Sequence, residues 1–162
     1  EVGTLDFLAK NGCRAMAIDL PGYGGSKDVK AKPEEFLHVL LPYLDLKKPV
    51  LVFPSMSGGF AFPFATAHPE LLRASVRLAP VGNDDYAKHP KGLDLRSLIL
   101  WGELDQQIPI AKADTLKDLL PKSSKLVIAG AGHACYQDQP QQFHAALLKF
   151  LKTLDAEKPA AK

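Results

Sequence analysis

The 162-residue chain has little of several things, and each shortage removes a class of explanation. There are two cysteines, Cys13 and Cys135, which form no CxxC pair and no disulfide framework. A reducing, cytoplasmic or nuclear setting is the expectation. No apolar run approaches the ~20 residues needed to cross a bilayer, so no membrane contact is visible. A net charge of +2 is too small to single out nucleic acid as a partner. No cluster has metal-ligand spacing, and no internal repeat is present. Nothing reads as a signal peptide. The chain starts at Glu1, not Met, inside a segment of helical pattern, so residues upstream are expected.

What is present is ordinary globular composition, 46% hydrophobic and 23% charged, arranged as alternating strand-like and helix-like segments. Apolar runs at Ala15–Leu20, Val50–Phe53, Ala74–Ala79, Leu98–Trp101 and Leu126–Ala129 read as strands. Segments of helical period lie between them. The first carries Leu5 and Leu8 and ends at Asn11-Gly12; the others cover about 33–44, 58–67, 109–120 and 139–154. Val81 to Asp94 is rich in loop formers and reads as a loop or small lid. The alternation predicts one α/β domain over residues 1–154, with a mostly parallel sheet covered by helices on both faces. Residues 155–162 read as a flexible tail.

Three motifs follow strand-like runs: Phe53-Pro54-Ser55-Met56-Ser57-Gly58-Gly59, Trp101-Gly102-Glu103-Leu104-Asp105 and Gly130-Ala131-Gly132-His133. Ligands of parallel α/β sheets bind beyond the carboxyl ends of the strands, which is where all three motifs fall. They supply a hydroxyl, a carboxylate and an imidazole. Ser57 is the candidate nucleophile, because Gly59 fits the last position of G-x-S-x-G and Ser55 stands in for the first glycine. His133 is the candidate general base and Asp105 the carboxylate that orients it. Gly58 N–H, the amide after Ser57, is the candidate oxyanion donor. Ser55 and Met56 beside the elbow, and Cys135 as pocket wall, complete the candidate binding residues. Glu103, Asp84 and Asp85 compete with Asp105. Asp138 reads as a helix N-cap. His38, His68, His89 and His144 have no comparable setting. Gly22, Gly24 and Gly25 lack the spacing of a phosphate loop and read as a tight turn.

Asp19-Leu20-Pro21-Gly22-Tyr23-Gly24-Gly25-Ser26 resembles the strand-turn block of the α/β-hydrolase superfamily. Arg14-Ala15-Met16-Ala17-Ile18, Pro54-Ser55-Met56-Ser57-Gly58 and Gly130-Ala131-Gly132-His133-Ala134-Cys135-Tyr136 resemble one small branch, that of α/β-hydrolase domain-containing protein fourteen. The likeness runs from Gly3 to about Leu154. It implies a serine hydrolase or acyltransferase of short acyl groups, using Ser57, Asp105 and His133 without metal or resident cofactor. It also implies deacetylation of protein lysines, with coenzyme A as acyl acceptor. The family's first strands and a second oxyanion donor lie before the helix at which this chain begins. In the family the missing third strand sits between Ala15–Leu20 and Val50–Ser55. An incomplete chain is therefore the expectation. A non-catalytic interaction or ligand-binding module is the alternative. Lys88, His89 and Lys91 could meet an anionic acceptor in the lid. Acyl length and oligomeric state are not legible.

Overall fold

The computed structural model describes residues 2–86 and 93–156. Its helices are α1 (Thr4–Lys10), α2 (Pro33–Tyr43), α3 (Gly58–Ala67), α4 (Asn83–Tyr86), α5 (Ala111–Leu119), α6 (Cys135–Asp138) and α7 (Pro140–Ala156). Its strands are β1 (Val50–Pro54), β2 (Ala74–Leu78), β3 (Ser97–Gly102) and β4 (Ser123–Ile128). The strands form one parallel sheet in the order β1-β2-β3-β4.

Successive side chains of a strand point to opposite faces, and the central strands are buried on both. Ala74, Val76, Leu78, Leu98 and Leu100 face Leu8 of α1 and Leu147, Phe150 and Leu154 of α7. Phe53, Ile99 and Trp101 face Ala61 and Phe62 of α3 and Ala113, Leu116 and Leu119 of α5. Helix α2 packs outside, with Leu37 and Leu41 against Phe64 and Ala65. The second face also buries Arg77, whose guanidinium lies 5.2 Å from the Phe53 ring centre and 5.0 Å from that of Phe62. The two ring faces offer the cation a favourable quadrupole in place of water. Its Nε–H donates to Ser75 Oγ at 3.1 Å.

The parallel sheet and its helical layers match the expected fold class, with four differences in detail. Ala15–Leu20 is not a strand. Apolarity favours a strand, but a ladder requires a neighbour to take its backbone groups. Among the described residues no strand lies beside this segment, and Met16 and Ile18 stay 46% and 42% exposed. On the same account β1 is a sheet edge, with Val52 41% exposed. Strand β4 begins at Ser123, ahead of its apolar run, because the other sheet edge tolerates polar residues. Helix α7 continues through Asp155 to Ala156, and Asp155 pairs with Arg73 at 2.8 Å, so the expected tail does not begin at 155. The expected loop after Val81 contains the short helix α4; Lys88, His89 and Lys91 lie outside the described residues.

Candidate active site

Because β1, β3 and β4 are parallel, their carboxyl ends share one rim of the sheet. Ser55 is the first residue after β1, and its φ is 43°, a left-handed value that side-chain-bearing residues seldom adopt. Such a conformation costs about 1–3 kcal/mol and persists only where its surroundings hold it. Here Val81 N–H, from the loop after β2, donates to the Ser55 carbonyl at 2.9 Å. The chain then makes one 3-10 turn, Ser55–Ser57, and enters α3. This tight strand-to-helix elbow projects the Ser55 side chain over the rim.

The Ser55 hydroxyl lies 2.7 Å from His133 Nε2. His133 Nδ1 lies 2.9 Å from Asp105 Oδ2. The Asp105 side chain is fully buried, and its other oxygen accepts the amides of Gln107 and Ile108 at 2.9 and 3.0 Å. An ionised carboxylate can only accept. Asp105 therefore requires a proton on Nδ1, which leaves Nε2 as the acceptor for the Ser55 O–H. One hydrogen-bond chain thus runs from hydroxyl through imidazole to carboxylate.

Ser57, expected to face the imidazole, does not. Its hydroxyl donates to the Pro54 carbonyl, within its own turn. The reason is the position of the strand end. β1 stops at Pro54, so the exposed apex of the elbow is Ser55, and Ser57 is already the residue capping α3. The expectation for Gly58 changes with it. The amides at the Gly58 cap bond the Ser55 and Met56 carbonyls. A Cβ at Gly58 would lie 2.2 Å from Val81 O, so this glycine serves the close approach of the loop after β2. The amide that follows Ser55 belongs to Met56. Sequence reasoning had a usable signal here, since the residue directly after an apolar strand is the one a sharp turn exposes.

The remaining candidates separate cleanly. Cys135 is buried among Leu78, Leu100 and Phe143, so it walls the core and not a pocket. Burial, with the nearby Asp105 charge, pushes its thiol up to about 11. Glu103 accepts the Gly130 amide at 2.9 Å, and Asp84 pairs with Lys112. Asp138 ends α6 and accepts the Gly132 amide at 2.8 Å; it is not an N-cap. Asp19 accepts the Gly25 amide at 2.8 Å and fills the space over Gly24, a turn as expected. His144 bonds Thr4 Oγ1 at 3.0 Å and stacks on Phe7, and burial lowers its pKa. His38 and His68 lie ring to ring at 4.6 Å. His89 falls outside the described residues. Among the described residues no group of three or more His, Cys, Asp or Glu could hold a metal. No described helix is long and apolar enough to cross a membrane. Two clefts open elsewhere, one of about 690 Å³ beside His144 and one of about 370 Å³ along α2. The converging polar groups at Ser55, not cleft volume, mark the candidate site.

The fold has solved counterparts. The α/β hydrolase MGS-MChE2, from a lagoon-sediment metagenome, superimposes with a TM-score of 0.83 at 21% identity, over 94% of this chain and 84% of that one. No protein-family model matches the chain. Two relatives are much nearer in sequence. ABHD14A from Danio rerio is 41% identical over 96% of this chain, and the chain spans only 59% of that protein's length. ABHD14B from Homo sapiens, whose name provisionally assigns it protein-lysine deacylase activity, is 39% identical over 95% of this chain and 76% of its own length. The chain belongs to the ABHD14 family of α/β-hydrolases.

Proposed function

We propose that the protein is a serine hydrolase or acyltransferase that works through an acyl-Ser55 intermediate. The observation that carries this reading is the continuous chain Ser55–His133–Asp105. An alcohol is a weak nucleophile at neutral pH and needs an adjacent base. His133 Nε2 takes the Ser55 proton as Oγ bonds to the acyl carbon. The carbonyl oxygen becomes an oxyanion, and the Met56 N–H is the donor supplied by the elbow. The tetrahedral species collapses, the bond to the leaving group breaks, and His133 returns the proton to that group. Water or a thiol then gives its proton to Nε2 and attacks the acyl carbon; the acyl–Oγ bond breaks and His133 returns the proton to Ser55 Oγ. Asp105 fixes the tautomer and stabilises the imidazolium throughout.

The finer reading is removal of short, acetyl-type groups from esters or from protein lysines, with coenzyme A as an alternative acceptor. Its support is the family likeness, including the deacylase name carried by ABHD14B. A cytoplasmic or nuclear setting goes with it. The test is pre-steady-state hydrolysis of a short-chain chromogenic ester by the full-length protein. An initial burst followed by slower turnover is expected. Ser55→Ala should lose at least about 10³-fold in turnover. Ser57→Ala should stay within about tenfold, since it removes one hydrogen bond inside the turn. Equal turnover in wild type and Ser55→Ala would overturn the reading and favour a non-catalytic module.

A further inference from the structure

Two carboxylates that take no part in the hydrogen-bond chain converge on the loop that carries His133. Glu103 Oε2 accepts the Gly130 amide at 2.9 Å, and Asp138 Oδ2 accepts the Gly132 amide at 2.8 Å. Between them Leu104 N–H donates to the Ala131 carbonyl at 2.8 Å. Gln142 Nε2–H donates to the Ala129 carbonyl at 3.2 Å. The Ala131 amide reaches the Ile128 carbonyl at 3.4 Å. The loop before His133 is thus held by the end of β3, the end of α6 and the start of α7.

A segment with two glycines out of three residues, Gly130-Ala131-Gly132, has wide backbone freedom of its own. Gly130 uses it, with φ at 68°. Something external must therefore select the one conformation that sets the imidazole between Ser55 and Asp105. Hydrogen bonds from N–H to an ionised carboxylate are short and about twice as strong as neutral ones, and both ends of the glycine segment have one.

We propose that Glu103 and Asp138 are a pair of positioning residues, a carboxylate clamp that locks the Gly130–Gly132 backbone and so aims His133. The proposal rests on the reading of His133 as the general base. Each carboxylate acts through the loop backbone and touches neither substrate nor the reacting atoms. What the clamp requires at each position is an acceptor oxygen of the right reach.

The test compares Glu103→Ala/Asp138→Ala with Glu103→Gln/Asp138→Asn in the full-length protein. Two readouts are used: steady-state ester hydrolysis, and the low-field proton resonance of the His133 Nδ1–H bonded to Asp105. In the alanine pair kcat should fall about 10²-fold with KM within about twofold, as for a catalytic group displaced by about 1 Å. The Nδ1–H resonance should broaden or vanish. The amide pair keeps an acceptor oxygen and should return to within about threefold of wild type, with the resonance restored. If the alanine pair does not fold, the single Ala variants are measured in the same way, each expected to lose about tenfold. Wild-type kcat and resonance in the Ala variants would overturn the clamp, as would equal losses in the Ala and amide pairs. So would a fall in kcat with the resonance intact. Should wild type prove no more active than Ser55→Ala, the proposed function fails. The resonance alone then decides the clamp: lost in the alanine pair supports it, retained overturns it.

Discussion

The Ser55 elbow and the His133 loop meet at one hydrogen bond, yet they are built on opposite plans. The elbow holds a side-chain-bearing residue at φ 43°, tied by the Val81 amide and by the Ser57 hydroxyl on Pro54. The loop relies on glycine freedom, then removes that freedom with bonds from three elements. In the elbow the backbone conformation aims the hydroxyl. In the loop the surroundings aim the imidazole. The first plan is sensitive to what replaces the apex serine, the second to what replaces residues some distance from the imidazole.

The largest separation of the two regions should come from Asp105→Asn. It leaves the elbow untouched and removes the requirement for a proton on Nδ1. Loss of the correct tautomer should cost about 10⁴-fold in kcat on a short ester, with little change in thermal midpoint. Next is Gly102→Ala. A Cβ there would lie 1.9 Å from Gly132 O and 2.5 Å from Ala131 O, both backbone atoms of the imidazole loop. Overpacking of this kind should destabilise the fold by about 3 kcal/mol, measured by urea unfolding. The His133 Nδ1–H resonance should shift as well, since the loop itself must move.

Cys135 gives a smaller effect, read through pH. Its folded-state value is raised from 9.0 to about 11, first by burial and then by the Asp105 charge. The protonated thiol is what the folded state favours. Its contribution is therefore fully present below pH 9 and is lost as pH rises from about 9 to about 11, by an amount on the order of 2 kcal/mol. Urea midpoints across that range should fall more steeply in wild type than in Cys135→Ala. The smallest change is Gly59→Ala. The motif read around Ser57 places Gly59 at the last position of G-x-S-x-G, but no atom lies within 4 Å of a Cβ added there, and the residue sits in α3. Substitution should leave activity unchanged and raise stability by about 0.5–1 kcal/mol, the helix penalty of glycine relative to alanine.

These contrasts explain which parts were legible in the sequence. Elements carried by periodicity and punctuation were: α3 over 58–67, with an apolar strand before it, and α2 starting at Pro33. Asp105 and His133 were legible because each follows a strand and a glycine turn, both local signals. The local pattern points to Ser57, because Gly59 fits the last position of G-x-S-x-G and Ser55 stands in for its first glycine. The strand end at Pro54, a property of the sheet and not of the motif, moves the apex two residues earlier. Ala15–Leu20 carries strand-like apolarity, but pairing depends on a neighbour that local pattern cannot supply. In sequence Glu103 reads as a competitor of Asp105, and Asp138 as a helix N-cap. Their actual bonds go to backbone amides 27 and 6 residues away, for which side-chain type gives no signal.

The central claim is that Ser55 carries the acyl group, and the most direct measurement is the site of a covalent adduct. The full-length protein is treated with a fluorophosphonate, digested, and the peptide spanning both serines is sequenced by tandem mass spectrometry. The account predicts the adduct on Ser55, its persistence in Ser57→Ala and its absence in Ser55→Ala. An adduct on Ser57, retained when Ser55 is replaced, would contradict it.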